Sequence, residues 1–321
     1  MNKLISIGEL IIDFASEGVS EIKNTEVFRK KPGGACANVC CQVSKNCLKA
    51  VYVSKVGNDA FGEFLIETLK NENVETKYIK KSDDHHTSLA FVSFLENGER
   101  QFSFFRKNAA DLYFTLDDVS EVVIEEGDIF HFGSVALKTK ESRTAHDYLI
   151  NKAIENKALI TFDPNVRLNL WENHNELRNI INEYIQYANI LKISDDELTF
   201  ITGINNEEEA IAKLFVGNVK IVVLTRGSKG ATLYLDGKVV ANHSGYKVKA
   251  LDTTGAGDSF FGGFITKLLM DNRNIGNLLE NIDFYNQYLK FACKCGAYTT
   301  LNYGAISAMG NSEEIERVIG E

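Results

Sequence analysis

Six cysteines form no Cys-x-x-Cys pair: Cys36, Cys40, Cys41, Cys47, Cys293 and Cys295 lie largely among small residues in helical patterns, so reduced core thiols are expected. Cys36 and Cys40 are spaced for a shared ligand, but no matching His/Cys pair accompanies them, which argues against zinc. Positive charge is short, with a net charge of −9, so neither nucleic acid nor an anionic membrane is expected as a main partner. An anionic substrate would have to be captured locally. No apolar run at the start reaches the length of a signal peptide or membrane span before Glu9 and Asp13 interrupt it, and a cytoplasmic location is the expectation. Low-complexity tracts and internal repeats are missing too. So are the common phosphate signatures: there is no Gly-x4-Gly-Lys-Ser/Thr, Phe260 stands where a dinucleotide fingerprint needs its third glycine, and no Asp-Phe-Gly or His-Arg-Asp set occurs.

What is present reads as a soluble globular chain of 321 residues, 44% hydrophobic and 25% charged, enough for one large domain with an appendage or for two domains of ordinary size. Residues 3–8 read as a buried strand that continues through 9–14. Short apolar runs at 128–132, 158–162, 188–193 and 220–225 alternate with helical stretches, which predicts a mostly parallel sheet. Alternating runs at 88–95 and 101–105, joined through Asn97-Gly98, predict a β-hairpin that interrupts this pattern. In parallel sheets ligands lie beyond the carboxyl ends of the strands, and there the sequence places residues 163–167, 194–197, 225–230 and 252 onward.

The stretch from Asp252 to Phe264 is the most informative. Phe260, Phe261, Phe264, Ile265, Leu268 and Leu269 recur at helical spacing, so a helix should begin near Ala256. Its start would aim the N–H groups of Gly255, Ala256 and Gly257 at one spot with the helix dipole behind them, an anion site. Asp258 places a carboxylate beside that spot, its pKa expected to be lowered by the helix start, and an anion hole plus a base suggests phosphoryl transfer. The plain alternative is a glycine-rich loop whose Asp258 only complements the dipole.

Other candidates carry similar pairs of readings. Asp13 is an acid among apolar neighbours. Gly33 and Gly34 permit close backbone approach, and Asn38 offers donor and acceptor unless it is a local cap. Asp59 is assigned capping only. The hairpin would carry Arg106 toward whatever it covers, unless that is a surface arginine. Ser194-x-x-Glu197 also fits a capping box, and residues 225–230 a plain turn.

Together the segments Gly8–Asp13, Gly33–Asn38, Phe130–Ser134, Asp163–Trp171, Lys192–Glu197 and Asp252–Asp258 resemble the ribokinase-like (PfkB) carbohydrate kinases, in the family's order and along the whole chain. The resemblance implies an α/β fold: a three-layer core with a mostly parallel central sheet, as one domain, with a small β-sheet lid from segments 11–32 and 87–108. It implies ATP and Mg²⁺, with K⁺ a further candidate, and a homodimer formed through the lid. Asp13, Gly33, Gly34, Asn38, Arg106 and Arg167 would hold the sugar. Gly255, Ala256 and Gly257 would hold the transferring phosphate, and Asp258 would be the base. Lys192, Thr225, Gly227, Gly230 and Cys293 would line the nucleotide site, Glu197 would act through the magnesium shell, and Asp252 would border a monovalent cation. Two positions depart from many relatives: Ser194 replaces an Asn, and Cys293 replaces an Asn near the adenine.

Within the family, Phe130–Leu137 and Lys192–Leu198 resemble fructokinases. Phe104 and Phe105 stand where 2-keto-3-deoxygluconate kinases tend to present tyrosines, and phenylalanine cannot bond an acid group. A fructose kinase is therefore expected, with the keto-acid kinase as the alternative and a sugar- or nucleotide-binding regulator or a structural protein as other classes. ADP release on adding sugar marks an enzyme; thermal stabilisation by sugar without ADP marks a binder.

Overall fold

The computed structural model describes residues 2–95 and 100–320; the expected Asn97-Gly98 turn lies outside them. Strand β1 (Leu4–Ile7) is buried along its length. It does not continue through residue 14: the chain breaks at Gly8–Leu10 and enters β2 (Ile11–Val19), which pairs antiparallel with β3 (Phe28–Gly33). Helix α1 (Ala35–Ser44), strand β4 (Ala50–Gly57), helix α2 (Ala60–Asn71) and strand β5 (Glu75–Ser82) follow. Asp59 caps α2, accepting from the N–H groups of Phe61 and Gly62 at 3.0 and 2.8 Å. Then come β6 (Ser88–Phe94), β7 (Arg100–Phe105) and the short α3 (Leu116–Val119).

From there strand and helix alternate as expected: β8 (Ile129–Gly133), α4 (Lys140–Glu155), β9 (Leu159–Asp163), α5 (His174–Ile185), β10 (Ile190–Ser194), α6 (Asp195–Thr202), α7 (Glu207–Leu214) and β11 (Ile221–Thr225). A hairpin of β12 (Ala231–Leu235) and β13 (Lys238–His243) precedes α8 (Ala256–Met270), α9 (Phe284–Thr299) and α10 (Ser312–Ile319). The large sheet runs β13-β12-β11-β10-β9-β8-β1-β4-β5 and is parallel from β11 to β5, with the two strands at the β13 edge antiparallel.

Both faces of this sheet are covered, which explains why its strands read as continuous apolar runs. Successive residues feed opposite layers: Ile221 and Val223 enter the core beneath α1, α2, α8 and α9, while Val222 and Leu224 enter the one beneath α4 to α7. Phe261 and Phe264, both fully buried, anchor α8 to its layer at about 1.5–3 kcal/mol per side chain.

The smaller sheet has the order β3-β2-β6-β7. Along β2 the side chains alternate between two faces. Asp13 and Ala15 line the cavity described below, while Phe14 turns the other way and packs on Phe61 of α2, with ring centroids 5.6 Å apart. Phe14 also stacks on Phe91 at 4.9 Å, and Lys30 lies 3.7 Å over the Phe64 ring. Part of the apolar excess of the small sheet is thus absorbed within the chain, although Phe102 and Phe105 remain 42% and 57% exposed.

Candidate active site

A cavity of about 880 Å³ lies between the two sheets, at the carboxyl ends of the parallel strands. Every site residue nominated by the sequence lines it: Asp13, Gly33, Gly34, Asn38, Arg106, Arg167, Lys192, Glu197, Thr225, Gly227, Gly230, Asp252, Gly255, Ala256, Gly257, Asp258 and Cys293.

Helix α8 begins at Ala256, with Gly255 in the left-handed region at φ 75° and no side chain capping it. A Cβ on Gly255 would stand 2.6 Å from that of Ala305, so close packing as well as conformation requires glycine there. The N–H of Ala256 closes onto the Thr253 carbonyl at 3.3 Å, a correction to the expected trio of open donors. Among the described residues, the N–H groups of Gly255, Gly257 and Asp258 donate to no protein acceptor, and Gly257 faces Lys192, with 3.5 Å from its missing Cβ to Nζ.

The Asp258 carboxylate is buried and accepts from Asn38 Nδ2 at 2.7 Å, joining the starts of α1 and α8. Asn38 is therefore not a local cap; among the described residues its Oδ1 is buried without a partner. Burial pushes Asp258 above the usual carboxylate range, outweighing the Asn38 hydrogen bond and the nearby Lys192 and Arg167 charges. The expected lowering by the helix start is overturned because desolvation exceeds the dipole's pull. Behind this point Ser259 Oγ donates to Gln42 Oε1 at 2.7 Å and accepts from Thr299 Oγ1 at 2.8 Å, tying α8 to α1 and α9.

Asp13 reaches in from the small sheet, and burial raises it to about 6 against the pull of Arg167 and Lys31. A Cβ on Gly33 would collide with the Asp13 carboxylate, and one on Gly34, at φ 128°, with the Glu9 carbonyl. Glu9 itself was not anticipated. Its Oε1 accepts from the Ala35 N–H at 2.8 Å at the start of α1, and burial raises its pKa, partly offset by Arg106. Arg106 is not a surface arginine: it is 6% exposed and bonded to Asp111, another residue the sequence reading passed over. Arg167 sits exposed at the rim.

Lys192 is buried and salt-bridged to Asp163 at 2.8 Å. Burial alone would favour the neutral amine, but Asp163, Glu197 and Asp258 raise its pKa on balance, so it stays an ammonium. The capping box is formed: Glu197 accepts from the Ser194 N–H at 2.9 Å while Ser194 Oγ accepts from the Glu197 N–H at 3.3 Å, and the other carboxylate oxygen accepts from the Val166 N–H at 2.6 Å. Asp252 accepts from the Thr254 hydroxyl and N–H and from the Gly304 N–H, at 2.6, 3.0 and 2.9 Å. Although burial opposes it, these bonds hold the Asp252 pKa below normal. Cys293 is almost covered, its thiol pushed up to about 12 by burial. The residues offer an anion-binding helix start, a hydrogen-bonded carboxylate and a fixed ammonium within one cavity, the parts that phosphoryl transfer uses.

A family model described as pfkB family carbohydrate kinase matches residues 1–311. The chain belongs to the PfkB family. It is accordingly an ATP-dependent sugar kinase. Among curated members of the family, Fructokinase-2 of Solanum lycopersicum is 38% identical over 314 residues, covering 97% of this chain and 94% of its own. The structure of fructokinase from Vibrio cholerae O395 in fructose-, ADP- and calcium-bound form superposes with a TM-score of 0.87 at 31% identity, covering 99% of each chain. Aminoimidazole riboside kinase from Salmonella enterica, solved with aminoimidazole riboside and an ATP analogue, reaches a TM-score of 0.86 at 25% identity over 99% of this chain and 100% of that one. Among the described residues no helix is long and apolar enough to cross a membrane.

Proposed function

We propose that this PfkB kinase is a fructokinase, moving the γ-phosphate of ATP to a hydroxyl of fructose. The 2.7 Å contact of Asn38 with Asp258 carries the reading of the site, because it sets a candidate base at the open start of α8 and beside the small sheet that carries Asp13. Full-length likeness to fructokinases supports the ketose.

In this reading Asp13, Asn38, Arg106, Arg167 and the backbone of Gly33 and Gly34 hold the sugar. Asn38 Oδ1, buried and unpartnered, accepts from a sugar hydroxyl. Asp258, with one oxygen held by Asn38, takes the proton of the attacking hydroxyl through the other. The N–H groups at Gly255 and Gly257, the dipole of α8 and the Lys192 ammonium meet the transferring phosphoryl group. Ala256 shapes this turn more than it donates. Thr225, Gly227, Gly230 and Cys293 form the nucleotide wall.

Among the described residues no three His, Cys, Asp or Glu side chains cluster as a metal cage. Mg²⁺ keeps several waters and binds through one or two carboxylates and substrate phosphates, a demand that the Glu197 carboxylate on the cavity wall fits, and Glu197 would border it. When bound, the ion would neutralise phosphate charge. The ionised Asp252, with neighbouring backbone carbonyls, would border K⁺.

A coupled ADP assay over ketoses, aldoses and keto acids tests the proposal: D-fructose should give the highest kcat/KM. If a keto acid is better by about tenfold or more, fructose is the wrong substrate and the family stands. Chelation should abolish turnover, with Mg²⁺ restoring it, and K⁺ should stimulate relative to a bulky organic cation. Exposed Phe105, on the face of β7 turned away from the cavity, supports a homodimer through the small sheet, which a monomer by light scattering at micromolar concentration would refute.

A further inference from the structure

Where the small sheet rejoins the core, a buried ionic cluster stands at the sugar end of the cavity. Asp111 lies on a single helical turn, Ala110–Leu112, and is 1% exposed. That turn is pinned to the entry of β6 by the Ala110 N–H, which donates to the His86 carbonyl at 2.9 Å. Arg106, just past the end of β7, donates from Nε to Asp111 Oδ2 at 3.0 Å and from Nη2 to the same oxygen. Its Nη1 donates to the Val135 carbonyl at 3.1 Å. Ser88 Oγ donates to the other Asp111 oxygen. Three of the five guanidinium N–H groups are thereby committed before any ligand arrives.

We propose that Asp111 is a positioning residue for Arg106, holding the guanidinium at the sugar end as a charge-compensated donor and so setting the site for a neutral polyol and against an acid sugar. This rests on the fructokinase reading. A substrate carboxylate is gripped best by an arginine that offers a free paired edge and an unopposed charge. Here the Nε/Nη2 edge belongs to Asp111, and Glu9, 5% exposed on the same wall, adds a second carboxyl to the corner. At the rim the charges of Arg167 and Lys31 act on Asp13, which offsets them. A neutral hydroxyl asks for something different: one N–H in a fixed place, which a clamped guanidinium supplies.

Steady-state kinetics of the full chain on D-fructose and on 2-keto-3-deoxygluconate decide the matter. A wild-type preference for the acid sugar would overturn the fructokinase reading itself, whatever the variants do. Given a preference for fructose, Asp111→Asn, which keeps the shape and removes the countercharge, should raise KM for fructose about tenfold with a smaller change in kcat. The ratio of kcat/KM for fructose over the acid sugar should fall by about tenfold or more. Equal losses on both substrates, leaving that ratio in place, would overturn the inference. Removing one partner leaves a buried charge that can prevent folding. In that event Arg106→Gln is compared with Arg106→Gln/Asp111→Asn: acting only through Arg106, Asp111 should add no more than about a twofold further change. A further large loss of kcat in the double variant would show that Asp111 acts on its own and overturn the proposal.

Discussion

Helices α6 and α8 both begin on the same cavity, yet one start is sealed and the other open. At α6, Ser194 and Glu197 satisfy each other's N–H groups, and the second Glu197 oxygen is taken by Val166. At α8, Gly255 has no side chain to turn inward, and among the described residues the donors of Gly255, Gly257 and Asp258 have no protein partner. Orphan donors at a helix start are a stability cost unless something binds them, so the open start marks where an anion is expected, while the sealed start uses its own side chains to fix the Glu197 carboxylate in place.

Four measurements put this contrast to the test. Asp258→Asn should leave the fold intact and lower kcat by roughly 10² to 10⁴, and near-normal turnover in a folded variant would remove Asp258 as base. The two glycines of the open start should then separate. A Cβ at Gly257 meets nothing nearer than Lys192 Nζ at 3.5 Å, so Gly257→Ala should fold normally and lose about 10² in rate by filling the anion site. Gly255→Ala, at positive φ and against Ala305, should in addition cost about 1–3 kcal/mol of stability, and equal melting curves for the two variants would refute the distinction.

The third measurement is the pH profile. Burial raises the Asp13 carboxyl to about 6, so it loses charge as pH falls toward 6, and burial raises Asp258 in the same direction. The acid limb of kcat/KM should lie near pH 6, and a limb near pH 4 would contradict the burial argument. For stability the sign is opposite: a raised folded pKa favours the folded state below the unfolded value and loses that contribution as pH rises through about 6. Asp13→Asn should therefore stabilise the protein at pH 7, by about 1 kcal/mol after allowing for partial exposure, while weakening sugar use. The smallest effect belongs to the sealed start: Ser194→Ala should cost about 1 kcal/mol in a denaturant titration and less than about tenfold in kcat. A larger kinetic loss would mean that the Ser194 cap is needed to position Glu197 for turnover.

Much of this contrast was legible in the residues. The α8 pattern placed the helix start at Ala256, and the four apolar runs placed the strands whose ends carry the site, because both rest on periodicities local to the chain. The capping box at Ser194 and Glu197 was visible for the same reason. What escaped depends on burial and on contacts between distant segments. Asp258 looked like an acid eased by a dipole, since desolvation appears only once α1 and the small sheet close over it. Glu9 and Asp111 carry no local signal at all; Glu9 is fixed by Ala35, 26 residues away, and Asp111 is held by Ser88, 23 residues away, behind Arg106. The break between β1 and β2 was hidden because apolar residues continue across it while the chain changes sheets.

The back-to-back placement of Asp13 and Phe14 makes β2 a seesaw. One side chain reaches into the cavity and its neighbour presses on Phe61 of α2, so a displacement of the strand against α2 is felt at the Asp13 carboxylate. The stiffness of this wall of the cavity is thereby governed from the far side of a single strand, by an aromatic contact outside the cavity.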